Sequence, residues 1–205
     1  MPALRLHLDD KHLATVSTTG LDVLSIRVSG ARTDEEFVSV DFSGGSYPDG
    51  GPATHLIWVD QLPIKPGQII TAEFIAEAQD SHRGLTLEEL YPEESAFTDT
   101  DFTFKPAMLE ALRKQPFTRA GYDLRIETSS GASHAGKTPS QDHGFACSLV
   151  WNSFHPERIG VSLHSYSIDD LESKGPLRHM LDERLTVGAS MRLECNNVVL
   201  AEASS

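Results

Sequence analysis

Residues 131–138 match the spacing of a phosphate-binding loop, with Gly131, Gly136, Lys137 and Thr138 at the expected positions. Such a loop needs a helix that begins at the lysine, so that backbone N–H groups and the helix dipole face the phosphates. Here the loop-like residues 139–144 follow, and residues 133–138 have the composition of a return strand. We therefore predict a β-hairpin with a glycine tip rather than a nucleotide site.

The nine histidines are the next residues that could do chemistry, as metal ligands. No two have the i, i+4 spacing of a helical zinc-protease motif, and Cys147 and Cys195 are too few and too far apart for a structural zinc site. His7 and His12 are expected to face each other across a hairpin. We predict no metal and no cofactor, and we interpret the cysteines as buried free thiols.

Paired carboxylates are abundant, and such pairs can act as general acid and base. That chemistry requires one member of the pair in an apolar pocket with a raised pKa. These pairs lie instead in polar turns or in the first turns of helices, where solvation explains them. We therefore predict no catalytic residues and no enzyme activity. The pairs are Asp9-Asp10, Asp34-Glu35-Glu36, Glu88-Glu89, Glu93-Glu94 and Asp169-Asp170.

The elements that would position these residues are mostly strands, because apolar side chains alternate along much of the chain. Strands are predicted at 3–8, 12–17, 22–29, 36–42, 54–59, 68–75, 122–128, 133–138, 145–151, 158–165, 190–195 and 198–201. Helices are predicted at 86–90, 106–115, 168–173 and 177–183. Thr86 and Glu89 have capping-box spacing, and Asn196-Asn197 is predicted to be a tight turn.

The two halves of the chain repeat this order of elements, which favours a duplication, although β-meanders resemble one another by construction. We predict a mainly β protein with a few short helices. Two β-sandwich or barrel-like lobes, residues 1–76 and 121–205, would be joined by an acidic helical segment at 77–120. One continuous sheet system is the alternative.

The charge is distributed unevenly between the halves. Residues 1–102 contain 18 acidic and six basic residues, a net charge of −12, whereas residues 103–205 contain 12 and 11, a net charge of −1. Negative charge repels nucleic acids and anionic membranes and attracts basic partners. The alternative is that acidity only aids solubility.

A partner-binding surface is predicted where aromatic and acidic residues alternate, because aromatic anchors in a charged rim are common at tight interfaces. Trp151 is a further candidate, since it lies at a strand end. The predicted partner-binding residues are Glu88, Glu89, Tyr91, Glu93, Glu94, Asp99, Asp101 and Trp151.

The sequence favours an acidic cytoplasmic binding protein, with an inhibitor or immunity protein that neutralises a basic partner such as a toxin as the most specific hypothesis. No apolar run approaches the about 20 residues of a membrane span, and the first residues lack the pattern of a signal peptide. The alternatives are a secretion chaperone or assembly subunit, and an enzyme or ligand-binding protein with a site in loops 44–53, 129–144 or 152–157.

Overall fold

A computed structural model describes residues 1–93, 106–173 and 177–199 of the chain. The mainly β fold predicted from the alternation is confirmed. The strands are β1 (Ala3–Leu8), β2 (Lys11–Ser17), β3 (Val23–Ala31), β4 (Val38–Ser46), β5 (Thr54–Ile64), β6 (Ile69–Ile75), β7 (Gly121–Thr128), β8 (Ser133–Lys137), β9 (Gly144–Asn152), β10 (Arg158–Tyr166), β11 (Arg178–Thr186) and β12 (Ser190–Val198). The helices are α1 (Leu87–Leu90), α2 (Pro106–Lys114) and α3 (Ile168–Ser173). None of the described helices is long and apolar enough to cross a bilayer.

The strands form two antiparallel sheets of six strands each. The order in the first sheet is β2-β1-β6-β12-β7-β8, and the order in the second is β11-β10-β9-β3-β4-β5. Each half of the chain therefore contributes three neighbouring strands to each sheet. The β6–β12 and β3–β9 pairs join the halves, so both sheets continue from one lobe to the other.

The two halves have matching topology and matching irregularities. Val40 pairs with Leu62 in the first half, and Val161 pairs with Glu183 in the second, each residue 121 positions further along the chain. Register shifts occur between Phe42 and Ser43 and again between Leu163 and His164, at the same offset. Gly67 and Gly188, also 121 apart, precede β6 and β12 with φ of 81° and 92°. This agreement in topology, register and turn geometry supports duplication.

The core lies between the sheets and is shared by the two lobes. The inward-facing positions of each strand alternate with outward-facing ones, as a half-buried sheet requires. Ile26 on β3, Cys147 on β9 and Cys195 on β12 belong to one continuous buried cluster with Tyr122 and Phe74. Both cysteines are free, and burial raises the pKa of Cys147 to about 12.

Two local predictions were wrong. Residues 177–183 are largely strand, because β11 pairs with β10 and this tertiary ladder outweighs the helical spacing of Leu177, Met180 and Leu181. Asn196 and Asn197 do not form a tight turn. They continue β12, where they pair with Asp123 and Tyr122.

The other short elements follow their sequence signals. The P-loop-like residues lie on the β7–β8 hairpin, with Gly131 in the turn at φ 96°. His7 and His12 are cross-strand partners, and their ring centroids are 5.4 Å apart. The helices predicted at 86–90, 106–115 and 168–173 are present as α1, α2 and α3.

The segment between the lobes covers one edge of the sandwich. The Ser81 N–H donates to the Thr15 carbonyl of β2 at 2.9 Å, and Leu85 forms a two-way backbone bridge with Ile57 of β5. Strand edges that carry unpaired N–H and C=O groups invite pairing with other chains, so these contacts protect the edge formed by β2 and β5. It also fixes the position of α1, which follows directly.

The end of this segment is fixed by two buried arginines. Arg32 donates to the carbonyl oxygens of Arg119, Ser140 and Asp142 at 2.6–3.1 Å, and its guanidinium lies 3.7 Å from the centre of the Phe117 ring. The Arg119 guanidinium spans the loop that follows β3. It donates at 2.8–3.4 Å to the backbone oxygens of Ala31, Asp34, Glu35 and Phe37 and to the Tyr122 hydroxyl.

Candidate functional site

A groove of about 720 Å³ lies on the outer face of the second sheet, along β3, β4 and β5 and beside α1. This volume is within the range of about 300–1,000 Å³ that small-molecule sites occupy. The residues that line the groove are Ser25, Arg27, Asp41, Ser43, His55, Ile57, Asp60, Gln61, Leu87, Glu88 and Tyr91.

The floor of the groove follows from strand alternation. Arg27 of β3 lies directly opposite Asp41 of β4, and Ser25 lies opposite Ser43, while the residues between them, such as Ile26, point into the core. Polar and small side chains therefore share one flat surface outside the sheet.

An irregularity in β5 brings a second carboxylate to the same place. The β4–β5 register shifts on both sides of Phe42, once across Asp41 and once before Ser43, and Gln61 adopts φ 38°, in the left-handed region. The Gln61 N–H donates to Asp41 Oδ1 at 3.0 Å. Next to Gln61, Asp60 accepts a short hydrogen bond from the Tyr91 hydroxyl. The bulge thus places Asp41, Asp60 and Tyr91 in one corner of the groove.

The environment of Asp41 raises the pKa of its carboxyl. Burial of the carboxyl raises its pKa, and the nearby Asp60 charge raises it further. The hydrogen bond from Gln61 and the Arg27 charge act in the opposite direction but do not compensate. A carboxyl with a raised pKa beside a second carboxylate in a cleft is typical of functional sites, although structural networks also produce it.

This pKa predicts a pH-dependent stability difference between the wild type and the Asp41→Asn variant. The pKa of Asp41 is higher in the folded state than its ordinary value of 3.8, so ionised Asp41 destabilises the fold at neutral pH. We expect Asp41→Asn to have the higher Tm at pH 7. The difference should shrink as the pH falls through the raised pKa and disappear below about 4. Thermal melts of both proteins across this pH range test the prediction. It is contradicted if the Tm of the variant minus the Tm of the wild type is smaller at pH 7 than at pH 3.

The predicted capping box holds α1 beside the groove. The Glu89 N–H donates to Thr86 Oγ1 at 3.3 Å, and the Thr86 N–H donates to Glu89 Oε2 at 3.0 Å. Arg83 also donates to Glu89 at 2.6 Å, which lowers the pKa of that carboxyl. Because both of its oxygens are engaged, Glu89 stabilises the helix start as well as adding charge.

The predicted partner-binding residues fall into three groups. Glu88 and Tyr91 line the groove, while Glu89 and Glu93 lie on the exposed surface next to it. The prediction for Trp151 was wrong, because its side chain is 1% exposed. Glu94, Asp99 and Asp101 lie outside the described residues.

The error at Trp151 has a simple cause in strand phase. Trp151 is two residues beyond Leu149 on β9, so it points into the core, where its Nε1 donates to the Pro156 carbonyl at 3.2 Å. Phe154, in the turn that follows, is 88% exposed instead. The exposed turn was predicted, but the exposed aromatic residue within it was misassigned.

Sequence reasoning did not identify Arg27, Asp41 or Asp60 as site residues. Asp60 follows an apolar strand segment and Asp41 alternates with buried residues, and these patterns are shared with ordinary strand residues. Only the pairing of β3 with β4 and the bulge in β5 bring the three together. Among residues 1–93, 106–173 and 177–199, no group of three or more His, Cys, Asp or Glu side chains is arranged to hold a metal ion.

No protein-family model, curated protein or solved structure matches this chain.

Proposed function

We propose that this chain is an acidic cytosolic binding protein that neutralises a basic partner protein, as an immunity protein neutralises a toxin. The observation that carries the proposal is the position of the carboxylates. Glu88, Glu89 and Glu93 are exposed on and next to α1, and Asp41 and Asp60 lie in the adjoining groove. This acidic surface, defined by Glu88, Glu89 and Glu93, lies in the half of the chain with a net charge of −12.

The rigidity of this surface supports a binding role. Two contacts tie the segment to β5: the Ile57–Leu85 bridge and the Tyr91–Asp60 hydrogen bond. The capping box at Thr86 fixes the start of α1 between them. Carboxylates held in place before binding lose less conformational freedom when a partner docks. Concentrated negative charge also speeds the encounter with a basic protein.

Two exposed aromatic residues suit the role of anchors, and one of them, Tyr47, contacts the groove residue His55. Tyr47 and Phe154 are 47% and 88% exposed. Asp22 holds both of their loops, because its carboxylate accepts the Tyr47 N–H at 2.6 Å and its carbonyl accepts the Ser153 N–H at 2.8 Å. Exposed aromatic residues on fixed loops are frequent hot spots in protein interfaces.

The experiment that tests this proposal is affinity capture from the native host with matched charge variants. One bait is the wild type, and the second carries Glu88→Lys, Glu89→Lys and Glu93→Lys. The third carries Glu127→Lys, Glu157→Lys and Asp182→Lys, exposed acids of the second half whose reversal changes the net charge equally. We expect one stoichiometric basic protein on the first and third baits and its loss from the second. A partner retained by the second bait, or an acidic partner, contradicts the proposal.

A second candidate function is supported by the groove itself: a small-ligand-binding protein or an enzyme. The supporting observation is a cavity of ligand size in which Asp41, with a raised pKa, lies beside Asp60. The sequence placed such a site in loops. The groove is formed mainly by the faces of β3, β4 and β5.

A further inference from the structure

We propose that the groove binds a neutral, polyhydroxylated ligand of the saccharide class. This inference rests on the second candidate function above and is independent of the basic partner. It concerns the floor and walls of the groove, as opposed to the exposed outer side of α1.

The groove contains both hydrogen-bond donors and hydrogen-bond acceptors. Arg27 and Gln61 present N–H donors, Asp41 and Asp60 present acceptors, and Ser25 and Ser43 do both. A sugar hydroxyl also donates and accepts at one oxygen, so adjacent hydroxyls can pair with neighbouring donors and acceptors.

The groove carries charged side chains of both signs. Arg27 lies directly opposite Asp41 in the β3–β4 register, and its charge acts on the carboxyl of that residue. A cationic ligand at Asp41 would meet this guanidinium, and an anionic ligand would meet Asp41, Asp60 and Glu88. Like charges at short range in a partly desolvated cleft are unfavourable. A neutral ligand avoids both repulsions while it can use the charged groups for hydrogen bonds.

The shape of the groove also suits a sugar ring. The serine side chains make the floor low and flat, while Ile57, Leu87 and Tyr91 supply apolar surface at the sides. Tyr47 extends the site, because its hydroxyl is 2.9 Å from Nδ1 of the groove residue His55. Sugar rings have apolar C–H faces as well as polar edges, and they suit a site with apolar walls and a few placed polar groups.

The test is a titration of the ¹⁵N-labelled protein, followed by amide NMR shifts. The probes are neutral hexasaccharides of β-glucan, α-glucan, xylan, mannan and chitin, and L-arginine amide with its neutral analogue L-citrulline amide. We expect saturable shifts at Ser25, Ser43 and Gln61 with at least one saccharide, with a Kd of about 1 mM or lower. No saturable shift with any saccharide, or shifts confined to other surfaces, overturns the proposal.

The Arg27→Ala variant separates a saccharide site from a cation site. If Arg27 donates to sugar hydroxyls, its removal should weaken saccharide binding about tenfold. If the groove takes a cation, the same change should strengthen the binding of L-arginine amide, and this result would also overturn the proposal. The matched control is Arg184→Ala, an exposed arginine on β11 of the same sheet, which should leave binding unchanged. Thermal melts of both variants confirm that they fold.

The saccharide result and the basic-partner result are distinguishable. A groove that binds no saccharide leaves the captured partner and its dependence on Glu88, Glu89 and Glu93 untouched. Failure of the capture experiment leaves the NMR titration equally informative.

Discussion

Replacing Arg119 with alanine is expected to lower the free energy of unfolding by about 4 kcal/mol. The Arg119 side chain is 5% exposed, and its guanidinium satisfies four backbone carbonyl oxygens and the Tyr122 hydroxyl. Each buried acceptor that loses its partner costs about 1–3 kcal/mol, and water can reach some of them after truncation. The carbonyls of Ala31, Asp34 and Phe37 also keep second donors, which are the Asp34 N–H, the Thr118 hydroxyl and the Tyr122 hydroxyl, so the expected loss is smaller than the sum over five acceptors. The loop between β3 and β4 should loosen with it.

Urea unfolding followed by circular dichroism measures this loss. The matched control is Arg125→Ala on β7, where the side chain is 64% exposed and 3.7 Å from Glu194. Exposed ion pairs contribute little, so the control should change the free energy by less than about 0.5 kcal/mol. A loss below about 1 kcal/mol for Arg119→Ala would show that the guanidinium does not hold the loop.

Reversing the charge of Glu88, Glu89 and Glu93 to lysine is expected to slow association with the basic partner about a hundredfold at low salt. Electrostatic steering raises association rates by about 10–10³ over the unsteered value, and it depends on charge near the contact. The three reversals change the local charge by six units while Tm changes little, because all three side chains are exposed. Reversal at Glu89 also removes its ion pair with Arg83 and the capping-box acceptor for the Thr86 N–H, so a small loss in Tm is included in this expectation.

Stopped-flow association with the captured partner, at ionic strengths from about 0.02 to 0.5 M, measures the effect. The difference between variant and wild type should diminish as salt increases. The Glu127, Glu157 and Asp182 reversals should slow association by less than about threefold, although the net charge changes equally. Equal slowing by both triple variants would show that net charge alone, rather than a defined acidic surface, steers association.

Much of the fold was predictable because local patterns and tertiary structure agree. Alternating apolar residues mark the core-facing side of each sheet. The capping box at Thr86 marks the start of α1, and Pro106 marks the start of α2. Residues 177–183 show where local patterns are insufficient. Their spacing suits a helix, but residues 178–186 pair with β10, and the hydrogen bonds of this pair make them a strand.

The arrangement of the two halves was less predictable. Each half shows the same alternation whether it forms its own core or shares one. The β6–β12 and β3–β9 pairs, which make each sheet continuous, join residues that are 113 or more positions apart in sequence, as Ala31 with Gly144 shows. Nothing local to either strand indicates such a partner.

The candidate site was predicted in part for the same reason. Glu88 and Tyr91 belong to a segment with distinctive composition, so sequence alone indicated them. Arg27, Asp41 and Asp60 become neighbours through strand register and through the bulge at Gln61. Trp151 was misassigned because its position at a strand end was taken to mean exposure. The alternation of β9 places its side chain on the core-facing side.

The central claim is that the acidic surface of the first half meets a cationic partner. A crystal structure of the complex with the captured protein tests it most directly. The account predicts that Glu88, Glu89 and Glu93 lie within hydrogen-bond distance of lysine or arginine side chains of that partner. A complex in which these carboxylates face solvent, with all contacts made by β7, β8 and β12, would contradict it.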